Sequence, residues 1–206
     1  MGIMNLIKAN WTGKVGQVVG AKWKNKSTIR SYTPPAYTNT PAQQTVRGWF
    51  GEISAYVALF ADQIKSLSAL DTKGMSVRNA IIKLNKDQYD SGPLDPSTLK
   101  VSRGGLPAVT GLTASAPAGL SAITASWTPV QGVTISDKAK VVIIAVNDEE
   151  NFAAVGSALN TAGTISIPAA VPANTQLNIH YYLVDYRGSS RVGSTSGYIS
   201  TTSPAA

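Results

Sequence analysis

The stretch Ser121-Ala122-Ile123-Thr124-Ala125-Ser126-Trp127-Thr128 alternates in polarity from its third residue onward. Side chains of an extended strand point alternately to opposite faces, so Ile123, Ala125 and Trp127 share one face and the hydroxyl residues share the other. This pattern predicts a strand with one face in a hydrophobic core and the other in solvent. The second half of the chain is therefore expected to be built from β-strands.

Further strand-like runs recur from residue 106 to the end, with turn residues between them. One of them, Lys140–Val146, is almost continuously apolar, which is typical of a central strand. The predicted strands lie at about 109–115, 121–128, 139–147, 151–156, 163–168, 175–185 and 190–200. Seven short strands in this span predict a two-sheet, immunoglobulin-like sandwich.

A long helix is predicted to begin at Pro41. Thr40-Pro41-Ala42-Gln43 combines an N-cap hydroxyl, a proline at the first helical position and a capping-box glutamine. Apolar residues then recur at intervals of four and three, at Val46, Phe50, Ile53, Val57, Phe60, Ile64 and Leu67. This stripe predicts a helix over about 41–68. A second helix over about 75–87, capped by Ser76 or Asp71, is expected to form a two-helix hairpin with it.

The remaining segments complete an α+β chain. Residues 14–32 predict a β-hairpin around Lys24-Asn25-Lys26. An extended arm over 31–39 follows, held open by its prolines, and lies either on a neighbouring molecule or on its own domain. The Gly- and Pro-rich residues 88–107 predict a linker. We therefore expect an assembly domain over 1–105 and a sandwich over 106–206.

Positive charge is concentrated in the first half. Residues 1–105 hold 14 Lys and Arg against 6 Asp and Glu, whereas residues 106–206 hold 4 against 5. Such a basic segment is attracted to nucleic acid, an anionic membrane or an acidic protein surface, or else it is simply a solvated hairpin. The candidate assembly and anion contacts are Lys14, Lys22, Trp23, Lys24, Lys26, Arg30, Tyr32, Tyr37 and Arg47.

Nothing in the sequence predicts an active site. The chain has no cysteine, which excludes disulfides and thiolate metal sites. His180 is the only histidine, and its parity opposite Tyr181 predicts a structural residue on the solvent face of its strand. The adjacent acids Asp148-Glu149-Glu150 are typical of a solvated turn. We therefore predict no catalytic residue, no cofactor and no metal.

The sequence also bears on the compartment. No apolar run approaches the roughly 20 residues that cross a bilayer. Met1–Asn10 lacks the apolar core and cleavage site of a secretory signal peptide. We expect a protein that is made and assembled in a cytoplasm, with no membrane partner.

Two motifs in the second half resemble fibronectin type III domains. In Ile123-Thr124-Ala125-Ser126-Trp127-Thr128-Pro129 a strand tryptophan precedes a proline, and Tyr181 followed by Asp185-Tyr186-Arg187-Gly188-Ser189 is similar to a late strand that leads into a turn. The resemblance covers residues 106–203. It implies a binding or spacing module without catalysis.

The first half is similar to a family that occurs in bacteroidete genomes and in phages. The resemblance rests on residues 13–20, Trp23-Lys24, Arg30-Ser31-Tyr32, 39–44, Arg47, 79–85 and 102–106. It covers most of residues 11–106 and implies a structural component of a phage particle. It carries no reaction and no site residues.

Together these observations predict a non-enzymatic virion protein. We expect it to be head-associated, as a capsid decoration or in the head–tail connector or collar, with the first half anchoring it and the sandwich projecting or packing. Its expected partners are further copies of itself, other virion proteins and, through the basic half, packaged DNA. A nucleic-acid-binding module with an accessory sandwich and a tail or host-surface adhesion protein are the alternatives.

Overall fold

A computed structural model of the protein describes residues 12–23, 26–34, 39–117, 121–132 and 135–205. The side chains of Trp23, Lys26 and residues 89–91 lie outside this description. The chain divides into two compact units, Met1–Thr40 and Pro41–Ala206.

The first unit contains an antiparallel sheet in the order β1-β2-β3. Its strands are β1 (Gly13–Val15), β2 (Val18–Trp23) and β3 (Lys26–Ser31). Val15 pairs with Val18 across a two-residue turn, and Gly16 in that turn has a φ of +59°, which glycine adopts without steric cost. The predicted hairpin therefore has a third strand. Residues 35–38 of the predicted arm lie outside the described residues.

Two facing sheets form the sandwich of the second unit. The smaller has the order β4-β5-β8, with β4 (Thr110–Ser115), β5 (Ala122–Thr128) and β8 (Thr164–Pro168). The larger runs β7-β6-β9 and ends in β10 and β11, which both pair with the far side of β9. Its strands are β6 (Lys140–Asn147), β7 (Phe152–Leu159), β9 (Gln176–Arg187), β10 (Ser190–Gly193) and β11 (Gly197–Thr202).

An immunoglobulin-like sandwich is therefore present, with apolar residues of both sheets interleaved between them. Its core contains Leu112, Ile123, Ala125, Trp127, Val141, Ile143, Ala145, Ile167, Leu177, Ile179 and Leu183. The alternation predicted for β5 is seen in its burial, since Ile123, Ala125 and Trp127 are the buried residues of the strand. The described residues of this part form eight strands where we predicted seven, because the run at 190–200 is interrupted at residues 194–196.

The helical segment begins as predicted and ends earlier. Helix α1 (Pro41–Ala58) is followed by irregular turns over residues 59–67, in which the amide of Ile64 still donates to the carbonyl of Phe60 at 3.2 Å. Helices α2 (Val77–Leu84) and α3 (Lys86–Ser91) come next, and then a 3-10 turn over Pro96–Thr98. Of the two predicted caps of α2, Ser76 is the N-cap, and its hydroxyl accepts from the amide of Asn79 at 3.2 Å.

This helical layer covers the outer face of the larger sheet. A second core joins the two, and it contains Ile53, Tyr56, Val57, Phe60, Ala61, Ile64, Ile81, Leu99, Val101, Val142, Ile144, Val146, Tyr182 and Val184. The larger sheet is thus buried on both faces. The division at residue 40 differs from the boundary that we expected near residue 105, because residues 41–105 share this core with the strands.

The segment predicted as a linker is correspondingly well packed. Leu99 and Val101 lie in the second core, and Lys100 exchanges two backbone-to-side-chain hydrogen bonds of 2.7 Å with buried Asn85. Further along, the Ser102 hydroxyl donates to the carbonyl of Ser194 at 2.9 Å. Residues 99–106 therefore lie against the end of β10 and are part of the folded unit.

Candidate interaction surface

Strand register places some of the predicted contact residues on one face of the N-terminal sheet. Lys14, Val19 and Arg30 lie directly opposite one another across β1, β2 and β3, so their side chains share a face. Tyr32 lies two residues beyond Arg30, and the Lys14 Nζ is 3.5 Å from the centroid of its ring. This geometry is a cation–π contact. We call Lys14, Arg30 and Tyr32 the basic face.

A cavity of about 590 Å³ opens on the basic face. It is lined by Lys14, Val19, Arg30, Ser31, Tyr32 and Thr33. Two cations and an aromatic ring surround it, which is a chemistry suited to a phosphate or a carboxylate. The predicted anion contacts Lys14, Arg30 and Tyr32 thus converge in the structure.

The opposite face of the same sheet is apolar and exposed. Val15 and Val18 are paired, and Ile29 belongs to the adjacent register row. Their exposed fractions are 54%, 40% and 46%. We call these three residues the apolar face. It was not predicted, because the register that collects them on one side depends on the turn at Gly16.

The other predicted contact residues are not gathered with this group. Lys22 is exposed, and its parity with Val18 places it on the side of the apolar face. Arg47 is exposed on α1, in the other unit. Lys24 and Tyr37, and the side chains of Trp23 and Lys26, lie outside the described residues.

The prediction that His180 faces solvent is wrong. The residue is on the outer face of β9, where the helical layer covers it completely. Its Nε2 atom is 3.0 Å from the Tyr56 hydroxyl, and its ring contacts those of Phe60 and Tyr198. Burial lowers the pKa of His180 to about 4. The imidazole is therefore a neutral, structural group at neutral pH, with no route for substrate.

A second buried ionisable group, Asp185, anchors a loop. Its carboxylate accepts from the hydroxyl and the amide of Ser136 and from the Arg187 Nε at 3.2 Å. Burial alone would raise the pKa of Asp185, but these hydrogen bonds and the Arg187 charge outweigh it, and the pKa is lowered. The group holds the loop before β6 against β9.

The described residues offer neither a metal site nor a membrane-spanning helix. They hold no cluster of three or more His, Cys, Asp or Glu side chains able to bind a metal ion. In the same part of the chain, none of the helices has the length and hydropathy needed to cross a bilayer.

Comparison with solved structures yields fold neighbours that include two fibronectin type III domains. No family model matches the chain, and no curated protein matches it. The fibronectin type III domain of human contactin 1 is 16% identical, with a TM-score of 0.36 over 56% of this chain and 95% of that one. The corresponding domain of the human collagen alpha-1(XX) chain is 15% identical, with a TM-score of 0.32 over 50% and 87%.

Proposed function

We propose that the protein is a non-enzymatic structural component of a phage particle, and that its N-terminal sheet anchors it to neighbouring copies of itself. The observation that carries this proposal is the exposed apolar face. A three-stranded sheet of this size needs a packed hydrophobic face to be stable, and Val15, Val18 and Ile29 supply such a face without covering it. Removing these side chains from water on contact with a partner is favourable by about 25 cal/mol per Å².

The phage assignment is supported by the resemblance of residues 11–106 described above. Within the particle we place the protein at the head, as a decoration or in the connector or collar, after assembly in the host cytoplasm. Other virion proteins are the further partners in this proposal. The sandwich then projects from the anchor or fills space, and it needs neither catalysis nor a cofactor.

A second candidate function is nucleic-acid binding through the basic face. Lys14 and Arg30 flank a cavity that also exposes Tyr32, and basic residues beside an aromatic ring are typical of surfaces that follow a phosphate backbone. Packaged DNA would be the partner within a virion. This function would show a steep dependence on salt.

Light scattering on the full-length protein tests the main proposal. We expect a defined oligomer at low and high salt, and a smaller species for Val18→Asp, which places a charge in the apolar face. Thr28→Asp is the matched control, because it adds the same charge to an exposed position on the other face of the sheet.

The outcomes separate the two functions. A smaller species for Val18→Asp, with the wild-type mass kept in Thr28→Asp, supports anchoring through the apolar face. Equal masses for all three proteins would exclude it. A loss of salt-sensitive DNA binding in a Lys14→Gln, Arg30→Gln protein, with assembly unchanged, would favour the second candidate.

A further inference from the structure

The larger sheet of the sandwich ends in an open edge at β7. β7 pairs with β6 through eight consecutive residue pairs, from Phe152 opposite Asn147 to Leu159 opposite Lys140, without a bulge. Among the described residues no other strand pairs with β7. Half of its backbone N–H and C=O groups therefore point away from the sheet with no ladder partner.

This edge lacks the features that normally prevent strands from pairing between molecules. Its sequence, Phe-Ala-Ala-Val-Gly-Ser-Ala-Leu, has no charged residue and no proline. Natural edge strands are usually interrupted by charges, prolines or bulges, or are very short. β7 is long, regular and uncharged.

Every other edge in the described structure is interrupted. β4 carries a register shift between Thr110 and Thr113, and β8 has five residues and ends in Pro168. The edge opposite β7 is broken between β10 and β11. In the N-terminal sheet, β1 has three residues and β3 contains Lys26 and Arg30. The open edge of β7 is therefore a local property and not a general feature of the fold.

We propose that β7 pairs with β7 of a second copy of this chain, antiparallel and about a two-fold axis, so that one sheet runs through both molecules. This surface is separate from the apolar face of the N-terminal sheet. A two-fold contact requires that a surface be complementary to itself.

The charges at the two ends of β7 make this edge complementary to itself. Asp148, Glu149 and Glu150 lie in the turn that leads into its first residue. Lys140 lies beside its last residue, with its Nζ atom 5.9 Å from the centroid of the Tyr186 ring in β9. Lys138 is two positions earlier and exposed, and exposed Asp137 precedes it, so this end carries a net charge of one positive unit. Antiparallel pairing places the acidic end of each copy against the basic end of the other, and it does so twice. Parallel pairing would set acid against acid, which selects the antiparallel arrangement.

Leu159 is the residue through which this pairing can be tested. It is 45% exposed at the basic end of β7, so in the pair it lies towards the acidic turn of the second copy. A carboxylate at this position would meet the acidic turn, whereas an ammonium would meet opposite charge. Within one molecule the preference is reversed, because Lys140 is the cross-strand neighbour of Leu159. Leu159→Glu is therefore expected to favour folding and weaken the dimer. Leu159→Lys is expected to do the reverse.

The experiment uses the full chain with Val18→Asp, which by the anchoring proposal removes assembly through the N-terminal sheet. Sedimentation velocity over a concentration series should show a dimer of this protein. Adding Leu159→Glu should raise the dimer Kd by about tenfold or more, and adding Leu159→Lys should not raise it. Glu149→Lys in the Leu159→Glu background should restore the dimer. Hydrogen exchange at residues 152–159 should slow as dimer forms.

Two results would overturn the proposal. A Val18→Asp protein that stays monomeric throughout the series would exclude self-pairing and leave the edge to a strand of another protein. Equal effects of Leu159→Glu and Leu159→Lys would show that the charges do not face each other as proposed. Thermal melts of the monomers serve as the folding control. The anchoring proposal is tested by comparing the wild-type protein with Val18→Asp. The β7 pairing is tested by the Leu159 variants, so failure of one proposal can be distinguished from failure of the other.

Discussion

The hydroxyl of Tyr56 on α1 and the Nε2 atom of His180 on β9 are joined by a 3.0 Å hydrogen bond inside the second core. The two residues are 124 positions apart, and both are almost completely buried. The His180 Nδ1 atom has no hydrogen-bond partner among the described residues. This pair is a buried polar link between the helical layer and the sandwich, and it is sensitive to the charge on the imidazole.

The stability of the protein should therefore fall in mild acid through His180. Above about pH 6.5 the imidazole is neutral in both the folded and unfolded states, so it does not change the free energy of unfolding with pH. Between pH 6.5 and about 4 the unfolded chain binds a proton that the folded protein excludes, so the free energy of unfolding decreases as the pH is lowered. The decrease from this group should reach about 3 kcal/mol.

Urea denaturation between pH 7.5 and 4, compared with His180→Gln, measures this contribution. Glutamine keeps a polar group near Tyr56 and does not titrate, so the difference between the two proteins isolates the histidine from the carboxylates. Identical pH profiles would show that His180 is accessible to protons in the folded state.

Removing the two buried tyrosine hydroxyls should have opposite effects. Tyr56→Phe leaves His180 without its partner and should lower the free energy of unfolding by about 1–3 kcal/mol. The Tyr182 hydroxyl is buried in the same core and has no hydrogen-bond partner among the described residues. Tyr182→Phe should thus be neutral or stabilising, by up to about 1 kcal/mol. Thermal unfolding of both variants tests this, and an equal loss in both would contradict the assigned hydrogen bond.

Gly104 is predicted to tolerate no side chain. A Cβ atom at this position would overlap the carbonyl oxygen of Gly193 in β10. Gly104→Ala should therefore push residues 99–106 away from the sheet and cost about 1–3 kcal/mol or more. Gly105→Ala is the matched control, since nothing lies within 4 Å of a Cβ there. Similar chemical denaturation curves for the two alanine variants would show that the segment is not held against β10.

Truncation should distinguish the two domain boundaries. A chain that begins at Pro41 keeps both cores, so we expect it to unfold cooperatively at nearly the same temperature as the whole unit does in the full chain. A chain that begins at Leu106 exposes Val142, Ile144 and Val146, which the helical layer normally covers. That chain should aggregate or bind a hydrophobic dye. A soluble, cooperatively folding 106–206 fragment would instead support the boundary near residue 105.

The strands could be predicted from the sequence because each is a local pattern. The alternation at Ile123–Trp127 required only the period of an extended chain, and the cap at Ser76 required only the spacing to the next turn. The predicted ends of α1 and of the last strand were less accurate. Apolar periodicity continues through Phe60 and Ile64 although the helix has ended, since both side chains reach the sheet from irregular turns.

The covered face of the larger sheet was harder to predict. Parity places His180 on the side opposite the sandwich core, which is correct, but the helical layer covers that side, so the predicted exposure to solvent is wrong. The continuous apolar run of Lys140–Val146 was the available signal, because a strand that is hydrophobic on both faces needs a layer on each. Which segment supplies that layer depends on contacts between residues far apart in the sequence, such as Tyr56 and His180, which are 124 positions apart, and no local pattern records them.

The candidate contact residues were also predicted only in part. Their basic character was visible in the sequence, but the separation into a basic face and an apolar face depends on strand register. A shift of one residue in β2 would move Val18 to the side of Lys14. The two-residue turn at Gly16 determines which arrangement forms.

The helical layer has a consequence for how this chain can be inherited. Sandwich domains in many proteins behave as separate modules that recombination can move between genes at their termini. Here a crossover between residues 53 and 105 would split one hydrophobic core between two parents, since Ile53, Tyr56 and Val57 lie in the same core as Val142 and Ile144. A recombination crossover near residue 40 would leave each of the two compact units intact. The heritable module of this protein is therefore the helices together with the sandwich, and the N-terminal sheet is the part that evolution can exchange.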